Sequence, residues 1–142
     1  MTDEQAGFAP ATVRRRLASM LYEAFLLAGV LAVAFVLPQL LLGMARQTAA
    51  HGLMLWLHVF AVLLVYFLWF WRHGGQTLAM KTWKIRLVSS DGAPPASRQL
   101  LLRYVLAWPS LLLCGLGVIW ALFDRDRQFL HDRLAGTRLI RA

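Results

Sequence analysis

Residues 17–42 read LASMLYEAFLLAGVLAVAFVLPQLLL and contain one charged side chain, Glu23. A helix needs about 20 mainly apolar residues to cross the hydrocarbon of a bilayer, and this run is longer than that. It is also longer than the apolar part of a secretory signal, which has about 7–15 residues. We therefore predict a first transmembrane helix over residues 17–42, kinked or shortened at Pro38.

The composition agrees with a membrane protein. Of the 142 residues, 59% are hydrophobic and 15% are charged, whereas about a quarter of the residues of a soluble domain are charged. A second apolar run covers residues 53–72, with tryptophans near both ends, as at membrane interfaces. A third covers residues 98–123 and is interrupted by Arg103, Pro109 and Gly115-Leu116-Gly117.

The remaining segments are more polar. Residues 1–13 form an unpatterned tail that we expect to be mobile, and residues 14–141 form one membrane domain. Within it, residues 75–97 make a cytoplasmic connection between the second and third apolar runs. Residues 124–142 form a densely charged C-terminal tail.

The basic residues predict the orientation. The net charge is +8; three Lys or Arg residues precede the first span, one follows it, six lie between Arg72 and Arg103, and five follow Phe123. Basic residues concentrate on the cytoplasmic side, so we expect the N-terminus in the cytoplasm. Anionic lipid headgroups are an expected partner. Nucleic acid is not, because no nucleic-acid-binding motif accompanies the charge.

The third apolar segment has two possible paths. If it re-enters, fourteen basic residues lie inside and one outside; if it spans, nine lie inside and six outside. Re-entry would also let the alternating segment Lys84–Val88 pair with Thr137–Ile140. We favour re-entry, with a full span as the alternative. The predicted fold class is an all-α integral membrane protein with two transmembrane helices, a third apolar segment and a small cytoplasmic strand pair.

Glu23 is the first candidate functional residue. It follows Arg16 by seven residues, so the two share one face of a helix. An ionised residue at the centre of a span costs about 2.5–3.5 kcal/mol, and such a residue faces other helices, water or a counter-charge. A structural contact and an ion or proton site are both compatible with this. No metal-ligand spacing, catalytic motif or cofactor loop is present, so we expect no metal, no cofactor and no enzymatic activity.

Several motifs together resemble the bacterial RDD family of membrane proteins. They are Arg15-Arg16-Leu17-Ala18, Gly75-Gln76-Thr77-Leu78, Ser90-Asp91-Gly92 with Pro94-Pro95, Trp120-Ala121-Leu122-Phe123-Asp124, and His131-Asp132-Arg133-Leu134-Ala135-Gly136-Thr137. The family is named for one arginine and two aspartates. The resemblance assigns the arginine to Arg16 or its neighbour Arg15, the first aspartate to Glu23, which keeps the charge, and the second to Asp132.

The resemblance implies a polar cluster of Arg16, Glu23 and Asp132 near the inner interface, with Arg15, Asp124 and Arg133 as possible further members. Transport is suggested for the family, and cation/proton antiport is reported for some members. One hypothesis is therefore proton-coupled transport of a cation or small ligand by a homo-oligomer or together with a partner membrane protein. The alternative is a non-catalytic membrane module that binds anionic lipid or a partner protein, with a structural Arg/carboxylate cluster.

Overall fold

The computed structural model describes residues 9–46, 52–113 and 115–142. Residues 1–8 of the predicted tail and residues 47–51 of the predicted first connection lie outside the described residues. The architecture is mainly helical, with one small antiparallel sheet.

The first apolar run forms a nearly continuous helix. Helix α1 covers Val13–Leu31, a π-helical turn covers Ala32–Val36, and α2 covers Leu37–Arg46. The helix begins where Thr12 accepts a hydrogen bond through its Oγ1 from the amide of Arg15 at 3.4 Å, which satisfies one of the free N–H groups of a helix start. The predicted first span therefore starts four residues earlier than expected.

Pro38 does not end this helix. It has no N–H to donate to the carbonyl of Ala34, four residues earlier. The ring Nε2 of His58 lies 3.2 Å from that oxygen and can donate to it. The π-helical turn lies just before the proline, where a helix commonly accommodates such a break.

The second apolar run forms α3, Leu53–Arg72, as predicted. Helices Val13–Gly43 and Leu53–Arg72 are long and apolar enough to cross a membrane, and the most hydrophobic windows of both are 0% buried inside the protein. Their apolar side chains therefore face the surroundings, as expected for helices in lipid.

The third apolar run forms two helices, α5 (Ser97–Leu112) and α6 (Leu116–Phe123), bent by 95° relative to each other. Gly117 of α6 packs directly on Ser110 of α5, and a Cβ atom at this glycine would overlap the serine hydroxyl. The bend falls at the predicted Gly-Leu-Gly break.

The polar segments contain the remaining elements: α4 (Leu78–Thr82), β1 (Ile85–Ser89), α7 (Leu130–Ala135) and β2 (Thr137–Arg141). Strands β1 and β2 pair antiparallel, with Leu87 opposite Leu139. The predicted strand pair is therefore confirmed. Because the chain leaves β1 for α5 and returns to it through β2, this pairing favours re-entry over a full third span.

The end of the predicted N-terminal tail is also held by β2. The amide of Ala11 donates to the carbonyl of Leu139 at 3.0 Å, and the amide of Arg141 donates to the carbonyl of Ala9 at 2.9 Å. Ala11 belongs to the hydrophobic core, which gathers the strands and the adjoining helix ends; its largest members are Trp71, Met80, Ile85, Leu87, Leu100, Tyr104 and Leu139. The core therefore lies at one end of the long helices.

Candidate functional site

Glu23 lies on the buried face of α1 and is 7% exposed. Its Oε1 accepts a hydrogen bond from the Tyr66 hydroxyl at 2.7 Å, and its Oε2 accepts a short one from the Thr77 hydroxyl. Both donors are neutral. Within the described ranges, no basic side chain forms an ion pair with Glu23. A carboxylate on a spanning helix is thus held by α3 and the start of α4 without a counter-charge in contact.

Gly75 and Gln76 fix the segment that carries Thr77. The amide of Leu87 donates to the carbonyl of Gly75 at 2.8 Å, and the side-chain amide of Gln76 donates to the carbonyl of Ile85 at 2.8 Å. Gly75 has a φ of +69°, and a Cβ there would lie only 2.6 Å from the Leu87 oxygen. Glycine is therefore required for this close approach to β1.

Thr77 is 0% exposed and has two roles. As the residue before α4, it accepts a hydrogen bond through Oγ1 from the amide of Met80 at 3.3 Å. The same hydroxyl donates to Glu23. The Gly-Gln-Thr motif thus joins the strand pair to the carboxylate of the first span.

Asp132 forms a buried ion pair with Arg103. The guanidinium Nε donates to Asp132 Oδ1 at 2.5 Å, and the two side chains are 6% and 1% exposed. The Arg103 guanidinium carbon also lies 4.4 Å from the ring centroid of Trp71, a cation–π distance. The pair therefore links α7 to α5, and the stacking links both to the end of α3.

Arg16 is 2% exposed and binds backbone rather than a carboxylate. Its two terminal nitrogens donate to the carbonyls of Arg127 at 2.8 Å and Leu139 at 3.4 Å. The Phe129 ring centroid lies 5.8 Å from its guanidinium carbon. Arg16 thereby ties the start of α1 to the C-terminal segment.

The predicted cluster is therefore divided among separate contacts. Glu23 binds hydroxyls, Asp132 binds Arg103, and Arg16 binds carbonyls. The geometric reason is that the C-terminal segment places α7 beside α5, which brings Asp132 to a basic residue of the third apolar run instead of to Arg16.

The three additional predicted residues lie outside these contacts. Asp124 and Arg133 form an ion pair with each other, and Arg133 is half exposed. Asp124 also accepts a hydrogen bond from the amide of Gln128 at 3.0 Å. Arg15 is partly exposed, and its backbone amide binds Thr12. Of the two arginines, Arg16 is the buried one.

His131 lies beside Asp132 and contacts Ser110, with 3.1 Å between the ring Nδ1 and the hydroxyl. Burial lowers the pKa of His131 to about 4; the nearby Asp132 charge opposes this shift and the Arg103 charge adds to it. The imidazole is therefore neutral at neutral pH.

A cavity of about 340 Å³ lies between α1, α3 and α5. Its walls are mainly apolar, with Leu27, Phe67 and Trp108 among them, while Arg16, Glu23, Arg103 and His131 contribute polar groups. The lining of this cavity includes Arg16 and Glu23 but not Asp132. In the described part of the chain, no three His, Cys, Asp or Glu side chains are grouped to hold a metal.

Sequence reasoning missed Arg103, Tyr66 and Thr77. Arg103 could have been found, because it is a charged residue within an apolar run, the same signal that singled out Glu23. Thr77 lies in the Gly75-Gln76-Thr77-Leu78 motif, but neither Thr77 nor Tyr66 carries a charge that would mark it as a partner of Glu23.

Replacing Asp132 by asparagine should lower the free energy of unfolding by about 3 kcal/mol, because it leaves the Arg103 charge buried without its partner. Unfolding by SDS titration in mixed micelles, followed by tryptophan fluorescence, measures this. The matched control is Asp126→Asn, an acid 69% exposed in its side chain, which should change stability by less than about 0.5 kcal/mol. Equal losses of unfolding free energy in the two variants would show that the buried ion pair stabilises the protein no more than an exposed carboxylate does.

His131 should make the protein acid-sensitive. Its pKa is about 4 when folded and 6.5 when unfolded, so the unfolded chain takes up the proton first. Stability should be full above pH 6.5 and should fall by up to roughly 3 kcal/mol as the pH approaches 4. In His131→Gln this component should disappear, whereas the exposed His73→Gln should keep it. An unchanged pH dependence in His131→Gln would exclude His131 as its source.

Comparisons with known proteins place this site in a family. An uncharacterized protein of Rickettsia prowazekii (strain Madrid E) is 30% identical over 82 residues, which are 57% of this chain and 45% of that protein. The chain thus spans less than half the length of this curated relative. No solved structure matches. The profile of the RDD family matches residues 10–136, nearly the whole chain, and the protein therefore belongs to the RDD family.

Proposed function

We propose that this protein moves a small ligand across the membrane together with or in exchange for protons, and that Glu23 is the proton-binding group. One observation carries the proposal: within the described ranges, the Glu23 carboxylate, on a membrane-spanning helix, is bound by two hydroxyls and no other side chain, and it lines a ligand-sized cavity. Ionisable side chains within spans commonly mark such pathways.

The two hydroxyls suit a carboxyl group that gains and loses a proton. When Glu23 is ionised, Tyr66 and Thr77 both donate to it. When it is protonated, its own O–H can donate to Thr77, whose oxygen has two lone pairs and uses one for the amide of Met80. Glu23 can therefore keep a hydrogen bond to each hydroxyl in both protonation states, with the direction of the bond to Thr77 reversed.

The charge of the cavity favours a small anionic or amphipathic ligand over a cation. Arg16 lines the same space as Glu23 and forms no ion pair in the described part of the chain, whereas the Arg103 charge is neutralised by Asp132. When Glu23 is protonated, the Arg16 charge would repel a cation in the low dielectric of a protein interior. The proposed activity is binding and movement rather than catalysis. This activity requires a homo-oligomer or a partner membrane protein, because three short membrane elements do not enclose a path for a ligand across the bilayer.

A second candidate is a non-catalytic module that binds anionic lipid or a partner protein. It is favoured by contacts that two signature residues make within the protein: Arg16 binds two carbonyls, and Asp132 is paired with Arg103. Such contacts stabilise a fold without requiring a ligand. In this case Glu23 would be a third structural contact.

We also propose that the protein is a multi-pass protein of a bacterial cytoplasmic membrane, with its N-terminus and the strand pair in the cytoplasm. The positions of the basic residues support this orientation. The backbone pairing of residues 9–11 with β2 supports a common side for both ends of the described chain.

A reporter fused after Ala142 tests this topology. Green fluorescent protein should be fluorescent there, and alkaline phosphatase, which folds only in the periplasm, should be inactive. Fusions to a loop position between the first two spans should give the reverse pattern. An active phosphatase after Ala142 would contradict the proposed re-entry.

Glu23→Gln should abolish proton flux while the protein still assembles, because glutamine can keep hydrogen bonds with Tyr66 and Thr77 but cannot release a proton. The measurement uses purified protein in liposomes loaded with a pH-sensitive dye. Outward gradients of Na⁺ or of butanesulfonate, an amphipathic anion that stays ionised, distinguish a cation from an anionic ligand. Flux from the purified chain would also show that copies of it suffice.

The matched control is Asp91→Asn, which removes an exposed carboxylate on the connection before α5 and should leave the flux unchanged. Infrared titration of the carboxylic C=O band gives a second readout, which should be lost in Glu23→Gln. Equal flux in wild type and Glu23→Gln, or a band unaffected by this change, would contradict the role of Glu23 and favour the structural module.

A further inference from the structure

A second cavity, of about 800 Å³, lies on the polar side of Arg16. Its walls come from the start of α1, the segment between α6 and α7, and β2. Five of its lining residues are arginines: Arg16, Arg125, Arg127, Arg133 and Arg138. We refer to this space as the arginine pocket. Its lining includes a single acidic side chain, that of Asp126.

Much of this positive charge is without a partner in the part of the chain that the structure describes. Arg133 is paired with Asp124, but Arg125, Arg127 and Arg138 form no ion pair there. Like charges around one space repel each other. An anion in the pocket would remove that repulsion.

Two buried donors inside the lining also lack acceptors. The Nε atoms of Arg16 and Arg138 are both inaccessible and have no hydrogen-bond partner within the described ranges. Arg16 as a whole is only 2% exposed. A buried unsatisfied donor of a charged group costs more than about 1–3 kcal/mol, so the protein itself leaves the guanidinium groups of Arg16 and Arg138 incompletely satisfied.

The arginine-bearing loop is held in place before any ligand arrives. Arg127 has a φ of +51°, a left-handed conformation that costs a non-glycine residue roughly 1–2 kcal/mol. Asp124 stabilises it by accepting hydrogen bonds from the amides of Arg127 at 3.1 Å and Gln128 at 3.0 Å. Arg16 binds the Arg127 carbonyl. The loop is therefore preorganised, which lowers the entropy loss of binding.

We propose that the arginine pocket binds a phosphate group. Guanidinium groups match phosphate oxygens with paired N–H donors, and several arginines around one space are the usual means of holding this anion. The pocket lies where α1 begins and where α6 ends at Phe123, which is 83% exposed. This is the level of lipid headgroups, and the phosphate of phosphatidylglycerol is the source that this position favours.

This site does not depend on the role of Glu23, because none of the residues that carry it contacts that carboxylate. A protein without proton flux can still bind phosphate there. Conversely, loss of phosphate binding would leave the proton-coupled proposal standing.

The test compares binding of phosphatidylglycerol, phosphatidylcholine and inorganic phosphate to the purified full chain. In the pocket variant, Arg125, Arg127 and Arg138 are replaced by glutamine, which should weaken phosphatidylglycerol binding roughly tenfold or more. The matched control replaces Lys81, Lys84 and Arg98, three exposed basic residues elsewhere, and removes the same charge. It should change the affinity by less than about threefold.

The outcomes distinguish the sources. Tight binding of phosphatidylglycerol with weak binding of inorganic phosphate identifies a lipid headgroup, and the reverse identifies a soluble phosphate; both support the pocket. Equal losses in the two triple variants, or equal binding of phosphatidylglycerol and the zwitterionic phosphatidylcholine, overturn it. In the wild type, bound phosphatidylglycerol should protect Arg125 and Arg127, but not Arg98, from phenylglyoxal. Equal modification of all three overturns the proposal without any variant having to fold.

Discussion

The ion pair between Arg103 and Asp132 is the contact on which the rest of the structure depends. A charged residue in the third apolar run and another in the C-terminal segment would each be destabilising if buried alone. Paired, they fix α7 against α5, and the stacking of Arg103 on Trp71 fixes both to the second span. From α7 the chain passes directly into β2, so this contact also positions the strand that holds β1 and the start of α1.

Most of the fold could be predicted from local pattern. Two long apolar runs, the Gly-Leu-Gly break and the alternation in Lys84–Val88 each correspond to an element of the structure. The pairing of that strand with the C-terminal one followed from counting basic residues, which is a membrane constraint rather than a sequence pattern. The π-helical turn and the contact of His58 with Ala34 could not be predicted. They arise from how one helix adapts to Pro38 beside another.

The contacts of the predicted site residues could not be read from the sequence. Glu23, Arg16 and Asp132 are all buried, and each has a partner that the sequence did not identify. The partners lie far along the chain: Thr77 follows Glu23 by 54 residues, and the acceptors of Arg16 are backbone carbonyls, which any residue offers. The family resemblance and the re-entrant path suggested that Arg16 would meet a carboxylate. Because the C-terminal segment runs beside α5, Asp132 pairs with Arg103 instead of with Arg16.

The hydrogen bonds of Arg16 have a consequence for biogenesis. Its two carbonyl acceptors follow it by 111 and 123 residues. During synthesis, the first span is therefore made and can enter the bilayer long before these acceptors exist. Throughout that interval the Arg16 guanidinium is left to water and lipid headgroups, and it becomes buried only when residues 127–139 arrive. Because translation runs from the N-terminus, the contacts of α1 are completed only when the C-terminal segment has been made, well after α1 itself.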